Sequence, residues 1–291
     1  MIRETAEKLN FPPEAIEEFY NVYKGIVEKP EHCTRFNRAM DRFYTEAGNG
    51  FLEELTALAE ESGFHPQQVD MTFLLAAAQP LKYFYHHNNI PEEIYWDSME
   101  DLRYKLMENK KNYDRWGTFV TFWFQGFFWC ERFKLGRLQY EKKLFKYPEY
   151  RGIKEGDRVF NCHIPSSGPL TPEAVMDSLK KAHAFYKDEL KDGILPVVCN
   201  SWLLYTPFMG EVFPEGSNLW EFNKMFTHLR EVDDPNCSNF WRIFDQEYDP
   251  ATLKNAPADT GLRRRLKAFL EAGNPMGSAY CILLFDGEKI I

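Results

Sequence analysis

One stretch of the sequence combines features that could bind an anion. A strand is predicted over residues 158–164, a Ser-Ser-Gly-Pro break follows at 166–169, and a helix opens at Thr171. The free N–H groups of such a loop and first helical turn converge on one point, and the helix dipole adds partial positive charge there. Gly168 allows the backbone to approach a bulky diphosphate closely. The candidate donors are backbone amides and two serine hydroxyls of one loop: Ser166, Ser167, Gly168, Leu170 and Thr171.

The motif by itself leaves a second interpretation open. It lacks both the G-K-[ST] ending of a P-loop and the G-x-G-x-x-G of a dinucleotide-binding turn. Thr171, Pro172 and Glu173 are also typical of an ordinary helix start, as N-cap, first-turn proline and first-turn acid. A capped helix after a strand would have the same sequence.

The elements around this loop change type along the chain. Apolar residues at three- and four-residue spacing predict helices over 11–27, 32–45, 51–61, 66–86 and 91–111, and the aromatic run 116–130 predicts a sixth, buried helix. Beyond residue 136 the sequence alternates. It predicts strands at 137–141, 158–164, 195–205, 240–244 and 280–285, and helices at 171–186, 218–229 and 261–270.

This order predicts a two-part α+β fold. An all-α domain at 1–115 precedes a mixed α/β sheet domain at 116–291. The run 116–130 has no charged residue, but a membrane-spanning helix needs about 20 apolar residues. We therefore favour an interior position for it over a membrane span.

Composition excludes several functions. The net charge of −9, from 35 basic and 44 acidic residues, argues against a nucleic-acid partner, which requires a basic face. The six cysteines are scattered and no ligand spacing is present, so we expect no metal site. Together with an N-terminus unlike a secretion signal, the scattered cysteines indicate reduced thiols and a cytoplasmic protein. No membrane partner is expected.

Three motifs carry a family resemblance: FKLGRLQYE at 133–141, CHIP at 162–165 with Gly168 and Leu170, and CNSWLL at 199–204. They resemble a family of bacterial acyltransferases, whose members join a helical N-acyltransferase N-terminal domain to a GNAT-like C-terminal domain. The resemblance extends over most of the chain, including 116–128 and 217–226.

The resemblance implies a fold and a cosubstrate. In GNAT enzymes the loop and helix start after one strand hold the pyrophosphate of CoA, here residues 166–171. The next strand, here 197–204, diverges to open a wedge for the pantetheine and the acyl thioester. The chain is thereby expected to bind acyl-CoA, such as acetyl-CoA, and a small-molecule amine acceptor. Further contacts to the cofactor are expected from the second strand and the following helix: Cys199, Ser201, Trp202 and Asn218.

Transfer from a thioester to an amine requires a base, and benefits from an acid at the leaving thiolate. His163 is a candidate base because imidazole titrates near neutral pH, and Glu141 is a second candidate. Tyr205 is the candidate acid. Each of the three could instead have a structural role, and Cys199 could be a core thiol. Two other functions stay open, namely a non-catalytic acyl-CoA binder and a helical partner-binding protein with a degenerate GNAT-like half.

Overall fold

The computed structural model describes residues 2–291 and divides them into two compact units. One unit ends at Lys134, and the other comprises Leu135–Ile291. The aromatic run from Trp116 is therefore part of the first unit, whereas the sequence analysis assigned it to the second domain.

Six helices form most of the first unit, and they confirm the five helices predicted before residue 112. Several begin at a proline, whose fixed φ and missing N–H suit the first helical turn. Each helix buries an apolar stripe, for example Phe73 and Leu81 of the fifth helix, which are fully buried. The helices are α1 (Ile2–Lys8), α2 (Pro13–Val27), α3 (Pro30–Thr45), α4 (Gly50–Ser62), α5 (Pro66–His87) and α6 (Glu92–Tyr113).

The aromatic run does not form the long helix that was predicted. It contains a 3-10 turn, Thr121–Phe124, and the short helix α7, Gln125–Phe128. Aromatic and β-branched residues have low helix propensity, and the Thr118 amide donates to the Gln67 carbonyl instead of to its own segment. Its interior position is confirmed, because Phe124 and Phe127 are fully buried. Across residues 2–291, no helix combines the length and apolarity that crossing a bilayer requires.

A six-stranded mixed sheet is the main feature of the chain from Arg132 onward. Its order is β1-β2-β3-β4-β6-β5. Among the four strand pairs whose registers are described, β3 and β4 are parallel and the other three pairs are antiparallel. The strands are β1 (Arg132–Leu135), β2 (Leu138–Leu144), β3 (Arg158–His163), β4 (Leu195–Ser201), β5 (Thr227–Asp234) and β6 (Met276–Phe285). The helices are α8 (Pro172–Tyr186), α9 (Asn218–Lys224), α10 (Trp241–Phe244) and α11 (Gly261–Glu271).

The alternation of β2 and β3 assigns their side chains to two faces. Tyr140 lies opposite Cys162, and its hydroxyl donates to Ser178 Oγ on α8 at 3.1 Å. The intervening residues, which include Glu141 and His163, point to the opposite face. The predicted alternation of residues 158–164 is confirmed.

Three predictions in the second unit were wrong. The predicted helix 218–229 ends at Lys224, and Thr227–Asp234 is the edge strand β5. Residues 240–244 include a short helix and not a strand. The predicted strand 195–205 ends at Ser201. Short apolar runs do not distinguish helix from strand by period alone, and pairing of β5 with β6 decides the first case.

Candidate active site

Strands β3 and β4 separate soon after they pair. Their parallel ladder contains two pairs, Phe160 with Val197 and Asn161 with Val198, whereas β4 and β6 form seven pairs. Within the described part of the chain, no ladder pair joins the strands beyond Asn161 and Val198. Directly after the last ladder pair, the thiols of Cys162 and Cys199 still lie within hydrogen-bonding reach of each other. The predicted wedge between the strands stays a prediction.

At the end of the loop after β3, three backbone amides are open, which means that they donate no hydrogen bond to another described residue. Gly168 has φ +71°, and no atom lies within 4 Å of the position that a Cβ would take. The amides of Gly168, Leu170 and Thr171 donate no hydrogen bond within residues 2–291. The Thr171 hydroxyl accepts from the Ala174 amide at 3.3 Å, which confirms the predicted cap. These three amides can bind an anion.

One predicted donor is already used. The Ser167 amide donates to the Pro165 carbonyl at 2.8 Å, because the Pro-Ser-Ser sequence closes a tight turn there. The expectation that this N–H binds a ligand is therefore wrong, although the hydroxyl of Ser167 is not affected by this bond.

An arginine that the sequence analysis did not assign to the site organises this loop. Arg137 follows Gly136 in the turn just before β2. Its guanidinium donates to the carbonyls of Pro165 and Gly168, both at 3.0 Å, and of Pro169 at 3.1 Å. The FKLGRLQYE motif contained this residue, but no local pattern links it to a loop 28 residues or more away.

The two candidate bases form one pair. His163 Nε2 lies 2.8 Å from Glu141 Oε2, across adjacent antiparallel strands. Their side chains are 18% and 8% exposed. Lys143 Nζ lies 2.8 Å from the other oxygen, Glu141 Oε1, so the carboxylate has a cationic neighbour. Asn161 Nδ2 also lies 3.0 Å from His163 Nε2.

Two groups contact the same ring nitrogen. A carboxylate only accepts hydrogen bonds, whereas an amide nitrogen donates, so the Glu141 contact requires a proton on His163 Nε2 and the Asn161 contact requires Nε2 without one. When Nε2 donates to Glu141, Nδ1 is the basic nitrogen of the neutral ring. A carboxylate behind a histidine orients the ring and stabilises the imidazolium that forms when Nδ1 takes a proton. Glu141 and His163 together can therefore act as a base, with Glu141 as the orienting group.

The third candidate, Tyr205, has a different partner. Its hydroxyl donates to Asp233 Oδ1 on β5, and burial, with that bond, raises the pKa of Tyr205. The ring lies against Gly277, where an added Cβ would be 2.3 Å from Tyr205 Cε2. The structure does not bring Tyr205 into contact with His163 or Glu141 within the described residues.

The remaining candidates have separate positions. Ser201 Oγ accepts from the Leu203 amide at 3.2 Å, and the half-buried Trp202 ring packs against Phe208 and Phe213. Asn218 is exposed at the first position of α9. The cap of α9 is Ser217, whose hydroxyl accepts from the Trp220 amide.

Cys199 is a core residue. Its side chain is 1% exposed, and a hydrogen bond with Cys162, together with burial, raises the pKa of its thiol. A neutral thiol is a poor nucleophile. This side chain offers no surface to a cofactor, so the expected contact from the Cys199 side chain is wrong.

Two family models match this chain. Residues 133–283 match the family described as the GNAT-like C-terminal domain, and residues 1–130 match the N-acyltransferase N-terminal domain. No curated protein matches the sequence.

Solved acyltransferase structures share the fold. A crystal structure of an acyltransferase with decanoyl-CoA and teicoplanin has TM-score 0.74 at 19% identity, over 96% of this chain and 86% of that chain. A mutant acyltransferase with octanoyl-CoA has TM-score 0.76 at 18% identity, with the same coverage. An acyltransferase with decanoyl-CoA has TM-score 0.65 at 19% identity, over 97% and 98% of the two chains. The GNAT-like model covers the second half of the chain, and the N-acyltransferase model covers the first half. The chain therefore belongs to the GNAT-like acyltransferase family that carries an N-acyltransferase N-terminal domain.

Proposed function

We propose that this protein is an acyl-CoA-dependent N-acyltransferase. The observation that carries the proposal is the set of open amides at Gly168, Leu170 and Thr171, next to two strands that separate after two ladder pairs. Peptide N–H groups at a helix start favour a diphosphate, and we infer that the pantetheine extends along the carboxyl ends of the two strands, beyond their last ladder pair. The family supports the same cosubstrate, since related solved structures contain decanoyl-CoA and octanoyl-CoA.

The reaction is a direct transfer. The amine nitrogen of the acceptor attacks the thioester carbonyl, and the new C–N bond replaces the C–S bond. His163 takes the amine proton at Nδ1, Glu141 stabilises the imidazolium, and the same proton passes to the leaving thiolate of CoA. The products are an amide and free CoA. Tyr205 is not assigned a proton transfer, because its hydroxyl donates to Asp233.

The acceptor is proposed to be a small-molecule amine. One related acyltransferase contains teicoplanin beside its acyl-CoA, which supports a soluble small-molecule acceptor in this family. We also propose a cytoplasmic location, supported by the six free cysteines.

Two measurements test the proposal. The first is a thermal-shift titration with CoA, acetyl-CoA, octanoyl-CoA and decanoyl-CoA. At a hundredfold excess over its dissociation constant, a ligand adds about 2.7 kcal/mol to the free energy of unfolding. The absence of any shift would contradict acyl-CoA binding and leave the partner-binding alternative.

The second measurement is release of free CoA thiol with a panel of small amines. We expect amine-dependent thiol release and formation of the N-acyl product by mass spectrometry. A thermal shift combined with no turnover on any amine would favour the non-catalytic binder. Because acyl chains of different length are compared, the same panel identifies the acyl group that the wedge prefers.

A further inference from the structure

The guanidinium of Arg137 binds the proposed diphosphate loop along most of its length. It donates to three carbonyls in the loop, and Nη1 also lies 3.4 Å from Ser167 Oγ. The tight turn before it depends on Gly136, which has φ +77° and lies close to α8, so that a Cβ there would be 3.3 Å from Ser178 Cα. This turn therefore fixes the position from which the Arg137 side chain reaches the loop.

One of these bonds fixes the direction of a peptide amide. In a trans peptide the C=O of one residue and the N–H of the next point in opposite directions, and the described chain has no cis peptide bond. Holding the Pro169 carbonyl directs the Leu170 amide away from the guanidinium. The Pro165 carbonyl is held by the Ser167 amide as well as by Arg137.

Backbone hydrogen bonds do not hold the peptide between Pro169 and Leu170 within residues 2–291. Between residues 165 and 170 the one backbone–backbone bond described is from the Ser167 amide to Pro165. Gly168 is compatible with several backbone conformations, so the peptides beside it can rotate. A rotated peptide would present a carbonyl oxygen to the ligand, and this oxygen repels a phosphate.

We propose that Arg137 is a positioning residue for cosubstrate binding. It orients the amide of Leu170 toward the diphosphate by holding the carbonyl of Pro169 that precedes it. The inference rests on the proposed function, because it assumes that the loop receives the diphosphate of acyl-CoA. The planar guanidinium is suited to this task, since its donors are fixed in a fork that reaches several acceptors at once, whereas lysine offers one compact ammonium.

The test compares three variants in the full-length protein. Arg137→Ala removes all of these donors, Arg137→Lys keeps the charge without the fork, and Arg264→Ala is the matched control. Arg264 Nη1 also donates to two loop carbonyls, of Ala258 at 3.1 Å and Asp259 at 3.2 Å, but in another loop. Binding of CoA is measured by calorimetry, and transfer is measured with acyl-CoA and with the acyl-pantetheine thioester, which lacks the diphosphate.

We expect Arg137→Ala to weaken CoA binding by about tenfold or more, since hydrogen bonds to a charged group are lost. Its kcat/KM with acyl-pantetheine should stay at the wild-type value. Arg137→Lys should recover only part of the loss, and free guanidinium ion should restore CoA affinity to Arg137→Ala. Arg264→Ala should bind CoA like the wild type.

The outcomes separate this inference from the proposed function. Wild-type affinity for CoA in Arg137→Ala overturns the inference and leaves the proposed function intact. An equal loss with acyl-CoA and acyl-pantetheine also overturns it, because the role would then be general stability of the domain. If Arg137→Ala does not fold, the same comparison is made with Arg137→Lys. No CoA binding by the wild-type protein overturns both proposals.

Discussion

The two strands that separate at the candidate site end in different ways. β3 ends at His163 and continues into a loop with open amides at Gly168, Leu170 and Thr171. β4 ends at Ser201 and continues into two 3-10 turns, Trp202–Leu204 and Thr206–Phe208.

Polar groups on the β4 side bind one another. The Ser201 hydroxyl accepts from Leu203, the Tyr205 hydroxyl donates to Asp233, and the Thr206 amide donates to Glu231 Oε1 at 2.8 Å. Aromatic packing, with the Trp202 ring against Phe208 and Phe213, completes this side.

This contrast indicates that the two sides of the candidate site have different roles. Polar groups that are hydrogen-bonded within the protein form a rigid surface, whereas polar groups without a hydrogen-bond partner are available to a ligand. We therefore assign anion binding and proton transfer to the β3 side, with its neighbour β2, and the shape of the site to the β4 side. Four substitutions test this division.

Removal of the proposed base should have the largest effect. His163→Gln is expected to lower kcat by about a hundredfold or more, since a positioned base contributes a factor of this size. Affinity for CoA should change little. Steady-state kinetics and calorimetry check the two quantities. His183→Gln is the matched control, because His183 lies on α8 and contacts the Gly193 carbonyl through Nε2 at 2.8 Å. Comparable kcat values for the two variants would argue against His163 as the base.

Removal of the orienting carboxylate should have a smaller effect. Glu141→Gln keeps the shape of the side chain but removes the negative charge beside the imidazole. We expect kcat to fall by about tenfold, and the rising limb of the pH–rate profile to move to lower pH, because a protonated imidazole without its carboxylate loses its proton more readily. A lower kcat with an unchanged pH profile would indicate that Glu141 acts only through packing.

Substitution of the loop glycine should weaken cosubstrate binding by about tenfold. A β-branched residue disfavours the positive φ of Gly168 by about 1–2 kcal/mol, so Gly168→Val should shift the loop to other conformations and raise the Kd for CoA. Gly156→Val is the control, since Gly156 has φ +88° and also has no atom within 4 Å of a Cβ. If both variants bind CoA like the wild type, the diphosphate site is elsewhere.

Change on the β4 side should have the smallest effect on turnover. Tyr205→Phe removes one hydrogen bond to Asp233, and we expect kcat within about twofold of the wild type and a free energy of unfolding lower by about 1 kcal/mol. Chemical denaturation and steady-state kinetics measure these effects. A hundredfold lower kcat would instead identify Tyr205 as the acid, and proton transfer would then not be confined to the β3 side.

Much of the fold was predictable from the sequence because local patterns determined it. Proline at helix starts and regular apolar spacing defined the helices up to residue 113, and the alternation over 158–164 assigned Asn161 and His163 to the same face of their strand. β5 was missed because its partner, β6, lies more than 40 residues later, and pairing between them overrides the apolar pattern around Phe226.

The site was predictable in its residue types but not in its contacts. His163 and Glu141 were each named as a candidate base, whereas their pairing depends on the register of β2 and β3. Arg137 was missed because its three carbonyl partners belong to a loop distant in sequence. Tyr205 was named as an acid because its partner, Asp233, could not be identified from the sequence.

The central claim is that the amides around Gly168 bind the diphosphate of CoA. Selective ¹⁵N labelling of glycine gives one amide signal for each of the 17 glycines, and a Gly168→Ser variant assigns the signal of Gly168. On titration with CoA, we expect a large downfield shift of the Gly168 amide proton and little change in the amide shifts of Gly152 and Gly156. Saturation with CoA that leaves the Gly168 signal in place would contradict it.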